Sequence, residues 1–180
     1  KSKGINTVND FFSDRLVKKI ILKYGQFDLI IANNVFANIE DINSWLKNIK
    51  KTLKTKGSFV FESSYLLDLL RNKVFDFIYH EHLSYFSLNA VKNLCRMHGL
   101  ILYDFDRIKT KGGSIRYYIS KDTNKKISKK VISLLNYEIK FGLFKNKKYN
   151  HMKSKINSSK KLINKYLIEN KHKRIIGFGA

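Results

Sequence analysis

Proline is absent from the 180 residues, and cysteine occurs once, at Cys95. A single thiol excludes an internal disulfide and any cysteine-rich zinc centre within the chain. No apolar run approaches the roughly 18 residues that a bilayer span needs. Lys1 to Phe12 offers neither the apolar stretch nor the small-residue cleavage site of a secretory signal. A cytoplasmic protein with no membrane partner is therefore expected. No complete Gly-x-Gly-x-x-Gly or Walker loop occurs anywhere in the chain, so nucleotide phosphate transfer has no support. Acidic residues are also scarce, 14 against 36 Lys and Arg, for a net charge of +22.

What is present is enough apolar material for a folded core, 43% hydrophobic and 13% aromatic. The basic excess is mostly lysine, because only Arg15, Arg71, Arg96, Arg107, Arg116 and Arg174 are arginines. Base readout favours the planar arginine fork, so lysines spread this evenly read as a solvated exterior, and no nucleic-acid partner is expected. The excess is uneven along the chain: residues 1–120 carry net +8 and residues 121–180 net +14. That shift places a domain boundary near Ser120. The chain begins at Lys1 without Met and stops as the apolar Ile175-Ile176 reaches Gly177-Phe178-Gly179-Ala180, so a piece of a longer protein is expected.

Gly4 to Val8 reads as a short strand, and Phe12, Leu16, Ile20 and Tyr24 as a helical stripe ended by Gly25. Phe27 to Ala32 is a near-continuous apolar run of the kind found in a sheet covered on both faces, which predicts a central strand. Ile42, Trp45, Leu46, Ile49 and Leu53 predict a helix broken by Lys56-Gly57, followed by a buried strand over Ser58 to Glu62. Tyr65 to Arg71 reads as another helix. Leu88, Val91, Leu94 and Cys95 form the buried face of a helix that Ser87 caps and Gly99 ends, which makes Cys95 core filler. Leu100 to Arg107 and Ser114 to Ser120 are joined by too few residues for a crossover helix, so they predict an antiparallel hairpin. The pattern predicts an α/β, partial Rossmann-like sheet, parallel but for one reversed edge strand in that hairpin. Val131 to Ile139 and Met152 to Leu167 follow as a packed pair of amphipathic helices.

Ligands of such sheets bind beyond the carboxyl ends of the strands. Asp10 there can accept hydrogen bonds from an adenine amine or a ribose, with Phe11 offering a flat face, or it can simply cap the next helix. Asn33 and Asn34 follow the most apolar strand and suit a ligand more than a bare turn. The densest cluster is Tyr79-His80-Glu81-His82-Leu83-Ser84-Tyr85-Phe86. His98, His151 and His172 lie too scattered to complete a metal set, so no metal site is predicted and acid/base chemistry fits better. A neighbouring carboxylate and phenol can hold an imidazole so that it removes a proton next to a carbonyl. Gly112-Gly113, with Ser114 and Arg116, is either the hairpin turn alone or a place where backbone amides approach a phosphate.

Together, Asp28 to Ala37, Phe59 to Glu62, Tyr79 to Ser87 and Gly112 to Arg116 resemble, in order and spacing, the S-adenosylmethionine-dependent C-methyltransferases of nucleotide-linked deoxysugars. The resemblance covers essentially the whole chain and implies a partial class I methyltransferase sheet over 1–120. Residues 121–180 would then be a helical segment and the first strand of a second Rossmann-like domain, whose glycine turn Gly177 to Ala180 resembles. It implies that His82 removes the proton alpha to the sugar ketone, supported by Glu81 and Tyr79, with Asn38 nearby. It implies that Asp10, Phe11, Ala32, Asn33 and Asn34 line the cofactor, and that Lys111, Gly112, Gly113 and Arg116 lie near a nucleotide-linked keto sugar bound by a monomer.

Asn38 and Lys111 stand where the family usually carries histidine, and an asparagine amide hydrogen-bonds but does not titrate. The family's zinc-binding cysteines and the glycine-rich loop that grips the methionine part of S-adenosylmethionine have no counterpart between Lys1 and Ala180. Zinc is thus expected only in a region this sequence does not include, and the chain by itself is expected to bind the cofactor poorly and to be inactive. An O-methyltransferase of a saccharide or small molecule and a non-catalytic, basic nucleic-acid-binding fragment are the alternative readings.

Overall fold

Ser13, not Asp10, starts the first helix. In the computed structural model, which describes residues 4–177, the Ser13 hydroxyl accepts from the Leu16 amide at 3.3 Å and opens α1 (Asp14–Tyr24), which Gly25 ends. Asp10 is instead held by the Phe11 amide at 2.9 Å and by Arg15 at 3.0 Å. Gly4 to Val8 does not form the expected strand. These residues are exposed and pair with no strand among the described residues, and an isolated strand has no ladder to hold it.

β1 (Phe27–Asn33), α2 (Ile42–Thr52), β2 (Leu53–Ser64), α3 (Leu66–Asn72), α4 (Leu88–Met97), β3 (Ile101–Ile108) and β4 (Ser114–Ser120) build the α/β layer. Strand order is β1-β2-β4-β3, with β1 parallel to β2 and β4 antiparallel to both its neighbours. Two expectations change here. The reversed strand, β4, lies inside the sheet rather than at its edge. β1, expected to be central, has one neighbour among the described residues, leaving Leu29 53% and Ile31 59% exposed.

Lys56-Gly57 also does not end α2. The helix stops at Thr52, where Leu53 turns extended, and Gly57 falls inside β2. A Cβ at Gly57 would lie 2.9 Å from the Phe27 carbonyl oxygen, at the irregularity where β1 and β2 slip register.

A contiguous aromatic core ties α2, the sheet and the following loop together. Phe36, in a 3-10 turn over Phe36–Asn38, lies 4.3 Å from Phe61, 5.5 Å from Trp45 and 5.3 Å from Phe86, measured between ring centres. Phe61 in turn stacks on Tyr117 at 4.5 Å. α4 is capped by Ser87, whose hydroxyl accepts from the Ala90 amide at 3.0 Å. Cys95 is core filler as expected, its thiol pushed up to about 12 by burial.

α5 (Lys129–Phe141) and α6 (Asn146–Glu169) do not find their main partners in each other. α5 packs on α4 and β3, and α6 on α3. The link from α5 is a buried carboxylate. Glu138 accepts from the Tyr65 hydroxyl at 2.8 Å and from the Leu88 and Asn89 amides at 2.6 and 3.0 Å, so a side chain on α5 completes the N-terminus of α4. Toward its end α6 exposes Leu162, Ile163, Tyr166 and Ile168. No helix among the described residues is long and apolar enough to cross a membrane. Of the glycine turn expected to open a second domain, Gly177 to Ala180, residues 178–180 lie outside the described residues.

Candidate active site

Strand register gathers the candidate segments at one end of the sheet. Asn33 pairs with Glu62, Glu62 with Arg116 and Arg116 with Asp106, while Ser64, Ser114 and Ile108 form the next rung outward. The carboxyl ends of β1, β2 and β3 therefore meet the 109–113 hairpin turn. The loop over residues 73–86 crosses this end. Its Val74 side chain packs beside Gly112, its Ser84 amide donates to the Ala37 carbonyl at 3.1 Å, and its Phe86 carbonyl accepts from Leu66 at 3.0 Å.

His82 sits in that loop, half-buried. Its Nδ1 lies 3.1 Å from the Phe77 carbonyl oxygen, which can only accept, so Nδ1 carries the proton. That leaves the lone pair of a neutral ring on Nε2, which faces the Tyr79 hydroxyl at 3.2 Å. The two rings are tilted by 35° with centres 4.3 Å apart, and Tyr85 meets the imidazole edge-on at 5.8 Å. Tyr85 donates to the same Phe77 carbonyl, and burial raises its phenol pKa. Tyr79 and His82 are thus brought together. Glu81 is exposed and makes no hydrogen bond to His82 among the described residues.

On the β1 side lies a cleft of about 820 Å³ whose wall includes Asp10, Phe11, Asn38, Trp45 and Asn48. That volume falls within the roughly 300–1,000 Å³ usual for small-molecule sites. Phe11 is 90% exposed, so its ring is open to a ligand. Ala32, Asn33 and Asn34 do not line this cleft. Ala32 is buried, and Asn34 adopts a left-handed turn (φ 55°) with its amide committed to the Glu62 carbonyl at 2.9 Å.

On the hairpin side a second cleft, about 530 Å³, is lined by Asp68, Arg71, Asn72, Arg107, Lys109 and Gly112-Gly113, with Ile108. Of the four hairpin residues expected near a substrate, the two glycines line it, whereas Lys111 and Arg116 do not. Arg116 is committed to Glu62 at 2.9 Å. The glycines also have a packing reason: a Cβ on Gly113 would run into Asp68, and its φ of 121° strains any other residue. Sequence reasoning misses Asp68, Arg71, Arg107 and Lys109: the i,i+3 spacing of Asp68 and Arg71 reads as an ordinary helix-surface pair, and only tertiary packing brings Arg107 and Lys109 to it.

Residues 4–103 match the family model described as a methyltransferase domain, and residues 109–180 match the C-methyltransferase C-terminal domain. C-methyltransferase NovU of Streptomyces niveus is 36% identical over 113 residues, 63% of this chain and 27% of NovU, so the chain spans about a quarter of that relative's length. Among solved structures, the O-methyltransferase NcsB1 from neocarzinostatin biosynthesis, in complex with S-adenosylmethionine, is 13% identical with a TM-score of 0.44, covering 63% of this chain and 32% of its own. Magnesium protoporphyrin IX methyltransferase of Synechocystis PCC 6803 is 10% identical with a TM-score of 0.40, covering 52% and 44%.

Proposed function

Because the chain belongs to the methyltransferase-domain family and continues into its C-methyltransferase C-terminal domain, we propose that it serves S-adenosylmethionine-dependent methyl transfer to a carbon beside a ketone, on a nucleotide-linked sugar. The observation that carries this reading is the position of the His82 ring, between the Phe77 carbonyl oxygen and the Tyr79 hydroxyl. A carbonyl acceptor on Nδ1 leaves Nε2 as a basic lone pair beside a phenol. S-adenosylmethionine supplies, when bound, an electrophilic methyl group on a sulfonium. The chain's residues need only deprotonate, position and exclude water.

In this reading Nε2 exchanges its contact with Tyr79 for the proton alpha to the ketone, and the Tyr79 hydroxyl turns to the enolate oxygen. Asn38 offers a neutral amide to the same oxygen. Glu81 contributes negative charge one residue from the base rather than a hydrogen bond. Asp10 and Phe11 fit the adenosine part of the cofactor, one as acceptor and one as stacking face, in a cleft of suitable size. Ala32, Asn33 and Asn34 stand outside that cleft, and in this reading they end β1 and aim the following Val35–Asn38 turn, whose Val35 and Asn38 do line it. Residues 1–120 make up the transfer core, and 121–180 buttress it through Glu138. The protein works as a cytoplasmic monomer on a small molecule.

The test is proton exchange. Given a 4-keto sugar nucleotide in D₂O, the protein in its natural full-length context should wash deuterium into the carbon beside the ketone. His82→Ala should slow this by about 10²-fold or more. Unchanged exchange in that variant removes His82 as the base. A product methyl that alkali releases, and that NMR does not place on carbon, would turn the assignment to O-methylation.

A further inference from the structure

Resting on that reading and extending it, we infer that the cleft between α3 and the β3–β4 hairpin binds a diphosphate, with Arg71, Arg107 and Lys109 as its cationic groups. The argument begins with charge. Asp68 is the only acidic residue lining this cleft among the described residues, against two arginines and a lysine. Its side chain is 3% exposed and contacts both guanidiniums, Arg71 at 3.0 Å and Arg107 on the other carboxylate oxygen. One carboxylate neutralises one of the two arginines, so a positive charge remains in the cleft even before Lys109 is counted.

Geometry turns that surplus into a site. Both arginines reach Asp68 through Nη2, so each keeps further N–H donors in a fixed fork. Arg107 is doubly fixed, because its guanidinium also stacks 4.9 Å from the centre of the Tyr65 ring and Tyr65 is anchored to Glu138. Holding two guanidiniums by a buried carboxylate removes much of the rotamer entropy that an anion would otherwise have to freeze out on binding. A planar fork matches phosphate oxygens two at a time, and a second arginine with a mobile lysine suits two linked phosphates rather than one carboxylate.

Location supports the same ligand. The cleft opens at the sheet end where the 73–86 loop carries His82, and Val74 of that loop touches Gly112 in the cleft wall. A nucleotide diphosphate held here lies beside the Val74 end of that loop, whereas Ser84 near its other end bonds Ala37, next to Asn38 of the Asp10–Phe11 cleft.

The net charge of +22 makes nonspecific anion binding the rival explanation, so the test must separate place from charge. By titration calorimetry with inorganic pyrophosphate, Arg71→Gln combined with Lys109→Glu should weaken binding by about tenfold or more. The same charge change made on α6, Lys153→Gln with Lys161→Glu, should weaken it less than about twofold. Arg107 is left intact so that Asp68 is not stranded, and unchanged circular dichroism and melting verify that each double variant is folded. Equal weakening in the two double variants, or no pyrophosphate binding by the unmodified protein, overturns the inference. Its failure is distinct from that of the proposed function. Pyrophosphate binding without His82-dependent exchange leaves the cleft and discards the carbanion chemistry, and exchange without pyrophosphate binding does the reverse.

Discussion

The two flanks of the sheet are built on opposite plans. β4 has a strand on each side, its Ile115, Tyr117 and Ile119 are buried, and α5 is pinned over the neighbouring α4 by Glu138. β1 has one strand neighbour among the described residues, and its Leu29 and Ile31 face solvent. The closed flank therefore carries most of the burial that stabilises the chain, and it holds the arginine cleft rigid. The open flank carries the roomier Asp10–Asn38 cleft on loops and helix starts. The sharpest way to break this contrast is a matched pair of truncations. Ile115→Ala should cost about 2–5 kcal/mol, because a fully buried isoleucine leaves a cavity, whereas Ile31→Ala should cost less than about 0.5 kcal/mol. Urea unfolding midpoints measure both, and comparable losses would show that β1 is as covered as β4.

Glu138 sharpens the comparison from the closed side. Burial raises its carboxyl pKa, while its bonds from Tyr65, Asn89 and Leu88 pull the other way and are outweighed. A carboxyl whose folded pKa lies above its unfolded value binds a proton more readily in the folded state. Its contribution to stability is complete below the ordinary glutamate value and is lost as pH rises through the raised one. Glu138→Gln abolishes that titration and turns an amide N–H toward one of the buried donors, at a cost of about 1–3 kcal/mol in acid. The stability gap between the unmodified protein and the variant should therefore narrow as pH rises above the ordinary glutamate value of about 4.3. A gap that widens over this range would mean that the three donors, not desolvation, set the charge state.

Much of this architecture was legible because it is local. The α2 stripe, the Ser87 cap, the hairpin and the apolar run of β1 each follow from residues within one element. Tyr79 and His82 were legible for the same reason, being three residues apart in one loop. What escaped depends on register and on partners distant in the chain. An apolar run reads alike in a central and an edge strand, so β1 was misplaced. Arg116 looks available until register sets Glu62 opposite it. A lone glutamate on a lysine-rich amphipathic helix reads as solvated, and only packing shows that Glu138 fills the end of α4. Asp68 and Arg71 are a local i,i+3 pair on α3, but Arg107 reaches them from the end of β3, a partner that no local pattern supplies.

The smallest expected effect lies on the open flank. Lys54 and Asp28 form an ion pair of 2.7 Å between neighbouring strands, but the two side chains are 50% and 80% exposed. Water screens such a pair nearly as well as it screens separate ions, and fixing a lysine side chain carries an entropic cost that offsets most of the attraction. Asp28→Asn should leave the urea midpoint within experimental error, at low salt and in 0.5 M salt alike. A clear loss at low salt that disappears at high salt would mean that this flank depends on charge where it lacks burial, and that its openness is compensated rather than merely tolerated.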